Sequence, residues 1–348
     1  MRCIVFDIHC DHLASLSTKS HEVVFFNPLA YLNPEALAST NVLVQLHRKQ
    51  DRKTREFLTA VKTQMQDGRF EVICAHQSVF PPEWLIDECH EQRRVLGCFD
   101  DPQATYTRTL PSIVGYHGAY FCSPSFSQTQ LTRDVFRAFG ILHTHWFPLS
   151  YAQFSEHHCR QVLDSIAGRT STVVYVGKCY GSKVDRLAQL HRYFGKQLIV
   201  HGKGWPLGGG AGFIAPLRGR RFFPRLVRPI SDSQRRSLYL SSRVGFNLHL
   251  GDQAETGNMR MYETTAHGLV LLCDKTSTGA HAGIFEPNSE ALFYGSMEEA
   301  IELAERCMLD KPLSQRLAIG GFERCKRHYA FNNVIENLVS WAGSIPGQ

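Results

Sequence analysis

The sequence predicts an α/β protein in which helices cover doubly wound parallel sheets, arranged in two domains. Short apolar runs alternate with helix-length polar segments, which is the pattern of strands joined by crossover helices. Several of these runs are continuously apolar, as expected for parallel strands that are buried on both faces. A length of 348 residues with 43% apolar residues is enough for two cores, so we expect two domains.

The first domain is predicted to cover residues 1–150. Its strands are predicted at residues 3–6, 23–26, 42–46, 72–74, 94–99, 113–122 and 139–148. Helices are predicted at 54–65 and 82–92, and the second of these has a proline at its start. The N-terminal apolar run ends at Asp7, which is too early for a signal peptide and favours a first strand.

A linker is predicted at residues 151–170 and a second domain at 171–330. The strands of the second domain are predicted within 172–176, 196–205, 244–250 and 269–273. Ser296 opens a capping box, so a helix is expected from there to about residue 309. A further helix is predicted at 312–327. An amphipathic helix at 332–341 is expected in the final segment, 331–348.

Composition narrows the class of protein. The eleven cysteines are odd in number and include no Cys-x-x-Cys pair, which favours reduced thiols in a cytoplasmic protein. No apolar run approaches the ~20 residues of a membrane span, so no transmembrane segment is expected. The formal charge, 38 − 32 = +6, suits a polyanionic ligand but is too small to indicate nucleic acid by itself.

Residues 255–268 carry most of the functional information. They lie between the predicted strands 244–250 and 269–273, so we expect a crossover helix with its start at the ligand-binding edge of the sheet. Thr256, Gly257 and Asn258 are plausible caps, and Gly268 is a plausible stop. The free N–H groups of such a helix favour an anionic ligand.

Two charged residues on this predicted helix suit a nucleotide sugar. Arg260 would lie in the first turn and face a diphosphate, whereas Glu263 would lie one turn further on and accept two hydroxyls of a ribose. The alternative is an amphipathic helix with a charged surface and no ligand. Glutamates eight residues apart, such as Glu255 and Glu263, also occur elsewhere in the chain, so the pair is informative only because of its place after a strand.

The pattern Asn258-x-Arg260-x-Tyr262-Glu263-x-x-Ala266-x-Gly268, followed by a strand and Asp274, resembles the donor-site helix of CgeB-like glycosyltransferases. These belong to the retaining GT-B enzymes, whose wider group has two glutamates at this spacing and a glycine where this chain has Asn258. The resemblance continues to the end of the chain and, more weakly, back to about Phe99.

The resemblance implies a GT-B fold, in which two Rossmann-like doubly wound domains face each other across a cleft and the final helix crosses back to the first domain. It also implies sugar transfer from a nucleotide-sugar donor, with retention of configuration and without a metal or other cofactor. The acceptor class stays open between glycan, protein and nucleic acid, and the oligomeric state is not indicated. The residues implied to bind the donor are Gly177, Gly202, Gly257, Asn258, Met259, Tyr262 and Glu263, with Glu255 at a sugar hydroxyl.

The segment after strand 172–176 resembles the Gly-Arg…Lys element of retaining GT-B enzymes. Lys178 follows Gly177 and occupies the usual arginine place, and Lys183 occupies the lysine place. Together with Arg260 and Glu255 they form the predicted catalytic set, in which the cations neutralise a departing diphosphate. Arg186 competes for this role, and the alternative interpretation is a pair of solvated lysines at a helix start.

On the acceptor side the resemblance points to Asp101, which precedes Pro102, and to His117. An Asp-Pro turn and a structural histidine are the alternatives at these positions. His143, His145, His157, His158 and Cys159 do not have the spacing of a structural zinc site, so no metal is predicted.

Seven arginines lie between Arg218 and Arg236, with Phe222 and Phe223 among them. Such a segment could bind nucleic acid or anionic lipid, or it could be a solvated basic loop. It supports an alternative function, that of a DNA-modifying glycosyltransferase or a nucleic-acid-binding protein. A phosphorylase or epimerase on the same fold is a third possibility.

Overall fold

The computed structural model describes residues 1–7, 13–32, 52–76, 80–99, 105–123, 130–150, 154–179, 183–205, 223, 226–249, 258–276, 279 and 281–346. The chain divides into two compact units. One unit contains Met1–Pro148 together with Asn332–Gln348, and the other contains Leu149–Phe331. The C-terminal segment therefore belongs to the same unit as the N-terminal residues.

The first unit is built on a seven-stranded sheet in the order β2-β3-β1-β4-β5-β6-β7. Its strands are β1 (Arg2–Phe6), β2 (Leu13–Ser17), β3 (Glu22–Phe26), β4 (Val72–His76), β5 (Arg93–Cys98), β6 (Gly118–Phe121) and β7 (His143–Trp146). All neighbouring pairs are parallel except β2 with β3. The antiparallel edge strand β2 was not predicted, and the predicted strand 42–46 lies outside the described residues.

Four helices of the first unit are α1 (Arg52–Gly68), α2 (Pro82–Glu88), α3 (Gln130–Ala138) and, at the C-terminus, α11 (Phe331–Ser344). An aromatic cluster joins β1, β3 and α1, since the ring of Phe57 lies 6.3 Å from Phe6 and 5.9 Å from Phe26, centre to centre. Phe6 and Phe57 are fully buried, so this cluster anchors the sheet to its covering helix.

The second unit is built on a five-stranded parallel sheet in the order β12-β11-β10-β8-β9. Its strands are β8 (Thr170–Val176), β9 (Leu198–His201), β10 (Ser242–Asn247), β11 (Val270–Asp274) and β12 (Ala291–Tyr294). Its helices are α4 (Glu156–Ile166), α5 (Lys183–Phe194), α6 (Asp232–Ser241), α7 (Met259–Ala266), α8 (His281–Ile284), α9 (Met297–Leu309) and α10 (Lys311–Arg324). Continuously buried strands such as β10 and β11 confirm the predicted parallel sheet.

The predicted helix between β10 and β11 is confirmed as α7, and the sequence explains both of its ends. Asn258 is the N-cap, and its side-chain oxygen accepts a hydrogen bond from the backbone N–H of Arg260 at 3.1 Å. Gly268 follows the helix with a φ of +67°, a conformation that favours glycine. The helix therefore begins at the edge where the parallel strands end.

No helix of the described ranges is long and apolar enough to cross a bilayer. The cysteines in those ranges are free thiols, in agreement with the absence of a predicted disulfide framework.

Candidate functional site

The carboxyl ends of β8, β10 and β11 bring chemically active side chains together in the second unit. These strands end at Val176, Asn247 and Asp274, and helices α5 and α7 begin at the same edge of the sheet. In open parallel sheets this edge is where ligands bind, because loops and helix starts converge there.

Arg260 is held by three contacts at this edge. Its Nε donates to the carbonyl oxygen of Val176 at 2.7 Å, and its Nη1 donates to Oδ1 of Asn247 at 3.0 Å. Its guanidinium carbon lies 4.2 Å from the ring centre of Tyr175, at the distance of a cation–π contact. Two strand ends therefore fix the guanidinium before any ligand is present, which is the condition for preorganised charge stabilisation.

Two predicted glycines allow this close packing. The guanidinium of Arg260 occupies the space that a Cβ on Gly177 would need. Gly202 has a φ of +150°, and a Cβ there would collide with the carbonyl of Gly177. Glycine at both positions therefore leaves the space that the Arg260 guanidinium and the Gly177 carbonyl occupy.

Lys183 is the first residue of α5 and is buried, with 7% of its surface exposed. Burial and, to a smaller extent, repulsion from Arg260 lower the pKa of its ammonium group to about 8, whereas Asp274 opposes the shift. A buried lysine whose charge is costly gains stabilisation when an anion arrives. Lys178, by contrast, has an exposed side chain.

Arg186 lies one helical turn after Lys183, and its Nη1 is 3.5 Å from Oδ2 of Asp274. This contact places Arg186 beside Lys183 and Arg260, because Asp274 also interacts with Lys183. The sequence had offered Arg186 as an alternative to the lysines.

His249 and Asp274 form a buried pair beside these cations. Nδ1 of His249 lies 2.8 Å from Oδ1 of Asp274, and the backbone N–H of His249 donates to both carboxylate oxygens at 3.0 Å. Burial alone would raise the pKa of Asp274, but the hydrogen bonds from His249 lower it below the ordinary value. The carboxyl group is therefore an anion that orients the imidazole ring.

The donor atoms of His249, Cys273 and Asp274 lie within 4.8 Å of one another, a separation that a metal ion could also bridge. Two of these residues also have contacts within the protein. The short contact between Nδ1 and the carboxylate is a hydrogen bond, and Arg186 and Lys183 already provide positive charge beside Asp274.

Glu263 lies on α7 and is paired with Arg235 of α6. Nε of Arg235 is 2.6 Å from Oε1 of Glu263, and only 10% of the Glu263 side chain is exposed. The carboxylate predicted to bind a ribose therefore has a protein partner, which a ligand would have to share or displace.

Three predicted donor-site residues fall in different surroundings. Tyr262 is fully buried, and its ring lies 5.1 Å from Tyr329 and 6.0 Å from Phe285, centre to centre. Its side chain thus packs among aromatic rings of the second unit, and its role at the donor stays a prediction. Met259 is 43% exposed at the start of α7. Asn258 is half-buried, and its Nδ2 donates to the carbonyl of Leu248 at 3.3 Å.

Glu255, Gly257 and Asp101 lie outside the described residues. His117 is placed at the amino end of β6 rather than at the ligand-binding edge of its sheet. Its Nδ1 accepts a hydrogen bond from the backbone N–H of Arg94 at 3.1 Å, and the Arg94 guanidinium lies 2.8 Å from Nε2. These contacts hold the buried ring near the start of β6, and the acceptor-side role of His117 stays a prediction.

The other histidines singled out by the sequence are held by separate contacts. His145 stacks on Trp341 with ring centres 4.9 Å apart, and Nε2 of His158 lies 3.0 Å from the carbonyl of Ala266. Within the described ranges, neither of these two rings belongs to a group with metal-ligand geometry.

The basic segment is only partly described. Arg235 bonds Glu263, and Nη2 of Arg236 donates to Oε1 of Gln161 at 2.8 Å. Arg228 is exposed, and Arg218, Arg220, Arg221 and Arg225 lie outside the described residues. Two of the seven arginines thus have side-chain partners within the second unit.

Sequence reasoning missed Asn247, His249 and Arg235 as members of this site. Asn247 ends β10 and His249 follows two residues later, so their position after a buried strand was the available signal. Arg235 gave no comparable signal, because its partner Glu263 is distant in the sequence.

Comparison with known proteins gives one family match, to a glycosyltransferase family, and several similar solved structures. Residues 183–340 match the model of the family described as glycosyl transferase-like. No curated protein matches the chain significantly.

Solved structures share the fold across nearly the whole chain. An α,α-trehalose 6-phosphate synthase from Burkholderia multivorans is 12% identical with a TM-score of 0.60, covering 98% of this chain and 88% of that one. A sucrose-phosphate synthase from Thermosynechococcus elongatus is 12% identical with a TM-score of 0.57, covering 97% and 87%. An α-glucosyltransferase solved with UDP-glucose and DNA is 11% identical with a TM-score of 0.60, covering 98% of both chains.

At these identities the solved structures show the fold alone, which is the predicted GT-B fold. The family match covers the part of the second unit that contains Lys183, Arg186 and Arg260 and continues into the C-terminal helix. The fold and the family match together support a glycosyltransferase enzyme.

Proposed function

We propose that the protein transfers a sugar from a nucleotide-sugar donor, and that the donor diphosphate binds at the carboxyl edge of the sheet in the second unit. The observation that carries this proposal is the fixed guanidinium of Arg260, whose Nε and Nη1 are bonded to two strand ends. Lys183, which is buried, and Arg186, which is partly exposed, belong to the same cationic cluster.

The charge of the cluster favours an anionic ligand. Lys183, Arg186 and Arg260 carry positive charge, and the carboxylate of Asp274 forms an ion pair with Arg186 and interacts with the Lys183 ammonium group. Since charges inside a partly buried site interact more strongly than in water, a diphosphate there would be stabilised substantially. Because burial and Arg260 make the charge of Lys183 costly, an arriving anion would relieve this cost.

Sugar transfer from such a donor builds negative charge on the departing diphosphate. The cationic cluster would stabilise that charge in the transition state, which is commonly the largest single contribution to catalysis. Arg260 needs no rearrangement to do this, because Val176 and Asn247 already hold it. We assign Lys178 a secondary part, as an exposed cation that could close over the diphosphate.

The remaining donor contacts follow from the resemblance in the sequence. Glu255 would bind a hydroxyl of the donor sugar, and Glu263 would bind the ribose by sharing its carboxylate with Arg235. Retention of configuration, independence from metal ions and a relationship to CgeB-like enzymes belong to this proposal. The cationic side chains support metal independence, since they supply the charge compensation that a divalent cation would otherwise give.

A thermal-shift screen tests the proposal. The full chain is heated with UDP-glucose, UDP-galactose, ADP-glucose, GDP-mannose or dTDP-glucose, because a ligand that binds only the folded form raises the melting temperature. We expect at least one to raise it, and Arg260→Met to abolish that rise. Arg316→Ala is the matched control, because Arg316 is an exposed arginine on α10. A wild-type protein indifferent to all five, or an Arg260→Met protein that responds fully, would contradict the proposal.

A further inference from the structure

The imidazole of His249 has one nitrogen with a partner and one without. Nδ1 lies 2.8 Å from Oδ1 of Asp274. Nε2 is buried and has no hydrogen-bond partner among the described residues. The side chain is only 3% exposed, so bulk solvent does not provide a partner either. A buried polar atom without a partner is costly, and at a candidate ligand site it points to a group that arrives with the ligand.

Asp274 fixes which nitrogen carries the proton. The carboxylate is an acceptor, so Nδ1 must be the donor in their contact. The backbone N–H of His249 and the guanidinium of Arg186 hold the same carboxylate, which keeps it in place. The tautomer that carries its proton on Nδ1 has a lone pair at Nε2. Such an atom accepts a hydrogen bond and therefore matches a hydroxyl group rather than a phosphate oxygen.

The position of the ring relates this acceptor to the proposed diphosphate site. His249 follows Asn247 by two residues, and Asn247 holds Nη1 of Arg260. Asp274 also interacts with Arg186 and Lys183. The imidazole thus adjoins the cationic cluster, and in a nucleotide sugar the groups adjoining the diphosphate are hydroxyl-bearing rings.

We propose that Nε2 of His249, oriented by Asp274, accepts a hydrogen bond from one hydroxyl of the donor sugar and so selects sugars that carry it. This inference rests on the proposed function and makes it more specific, since it requires an unmodified hydroxyl at one ring position. A donor that lacks this hydroxyl would leave Nε2 buried without a partner, which is how a hydrogen-bonding site rejects a deoxy analogue.

Two substitutions distinguish the role of Nδ1 from the role of Nε2. His249→Asn places an amide near the position of Nδ1, where it donates to Asp274, but has no atom at the position of Nε2. His249→Gln carries an amide that reaches the position of Nε2 and provides a carbonyl acceptor there. His249 is not one of the three cations of the cluster, so both variants are expected to bind UDP as the wild type does.

Calorimetric titrations compare UDP, UDP-glucose and the 2-, 3-, 4- and 6-deoxy analogues of UDP-glucose. The thermal-shift screen can favour another of its five nucleotide sugars. The titrations then use that nucleotide sugar, its deoxy analogues and its nucleoside diphosphate in place of the UDP compounds. We expect the wild type to bind one deoxy analogue about 10-fold more weakly than the parent sugar. His249→Asn should bind the two alike, and His249→Gln should restore part of the difference.

The outcomes distinguish the two proposals. If the wild-type protein binds neither the nucleoside diphosphate nor any nucleotide sugar, the proposed function is overturned and this inference with it. Normal binding of the parent sugar, with an unchanged deoxy preference in His249→Asn, overturns the role of His249 alone. Equal binding of every deoxy analogue by the wild type has the same meaning, because Nε2 would then accept no hydrogen bond from a sugar hydroxyl.

Nitrogen NMR of the histidine rings gives a readout that does not depend on affinity. The His249 resonances are assigned as those missing from the spectrum of His249→Gln. In the free protein we expect a proton on Nδ1 and an unprotonated Nε2, whose resonance moves when the parent nucleotide sugar is added but not when UDP is added. A proton on Nε2, or an equal response to UDP, would contradict the inference.

Discussion

Nε of Arg235 lies 2.6 Å from Oε1 of Glu263, and this ion pair joins α6 to α7 across the second unit. The side chain of Glu263 is 10% exposed and that of Arg235 is 26% exposed, so the pair is largely removed from water. The helix that carries Arg260 is therefore anchored by a neighbour that the sequence did not predict as its partner.

Removal of Arg235 alone should destabilise the protein, because it takes away an ion-pair partner of the largely buried carboxylate of Glu263. We expect Arg235→Met to lower the free energy of unfolding by about 2 kcal/mol, less than a fully buried pair would lose. The double variant with Glu263→Gln should recover part of this loss. Urea titrations followed by the fluorescence of Trp205, which is buried in this unit, measure the effect. A single variant as stable as the wild type would show that the ion pair is not formed.

The ribose role of Glu263 makes a separate prediction. A carboxylate that binds a ribose diol distinguishes UDP from 2′-deoxy-UDP, so the wild type should prefer UDP by roughly 10-fold. Glu263→Gln should reduce this preference while still binding the diphosphate. Calorimetric titration with the two nucleotides measures the ratio. An unchanged ratio in Glu263→Gln would leave the carboxylate with a purely structural role beside Arg235.

The buried ammonium of Lys183 should make diphosphate affinity depend on pH. Its pKa is lowered to about 8, so the free protein loses this charge as the pH rises through that value. The affinity for UDP should therefore fall between about pH 8 and pH 10, and binding at pH 8.5 should take up protons from the buffer. Calorimetry in buffers of different ionisation enthalpy measures this uptake.

Two substitutions control the Lys183 experiment. Lys183→Arg keeps its charge throughout this range and should remove the fall. Arg192→Ala should leave it unchanged, because Arg192 is an exposed cation on the same helix. A fall that persists in Lys183→Arg would assign the titration to another group.

Acid should destabilise both units through buried histidines. Burial lowers the pKa of His267 from 6.5 to about 4, and burial together with Arg94 does the same for His117. Below about pH 6.5 these two histidines bind protons in the unfolded chain, whereas in the folded chain they bind protons only near pH 4. The free energy of unfolding should thus fall over this window, by up to about 1.4 kcal/mol per pH unit for each histidine.

Urea titrations between pH 7 and pH 4.5 test this acid dependence. The variants His117→Gln and His267→Gln should each show a smaller fall with decreasing pH. Trp205 reports the second unit, and Trp84 lies in the first. A pH dependence that is identical in the wild type and both variants would exclude the histidines as its source.

Local patterns predicted much of the fold. The apolar runs that became β8, β10 and β11 are buried on both faces, so their signal did not depend on distant partners. The antiparallel strand β2 has a weaker pattern, because Leu13–Ser17 contains two serines and lies at the edge of the sheet. The predicted strand 139–148 was too long, since β7 is confined to His143–Trp146 and a turn precedes it.

The candidate site was predictable only where its residues have a local context. Asn258, Arg260 and Lys183 lie at helix starts after strands, and the structure brings Arg260 and Lys183 into one cluster. The pairs His249–Asp274 and Arg235–Glu263 depend on distances across the fold, which spacing along the chain does not encode. Tyr262 was assigned to the ligand from the motif, although its side chain faces the core.

The most direct test of the donor site measures the release of nucleoside diphosphate from the nucleotide sugar that gives the largest thermal shift. Arg260→Met should reduce this rate by on the order of 10²-fold, the scale for losing one preorganised charge-stabilising donor. Arg316→Ala should match the wild type, and circular dichroism should show that both variants are folded. A folded Arg260→Met protein with the wild-type rate would contradict the assignment of the diphosphate to this edge of the sheet.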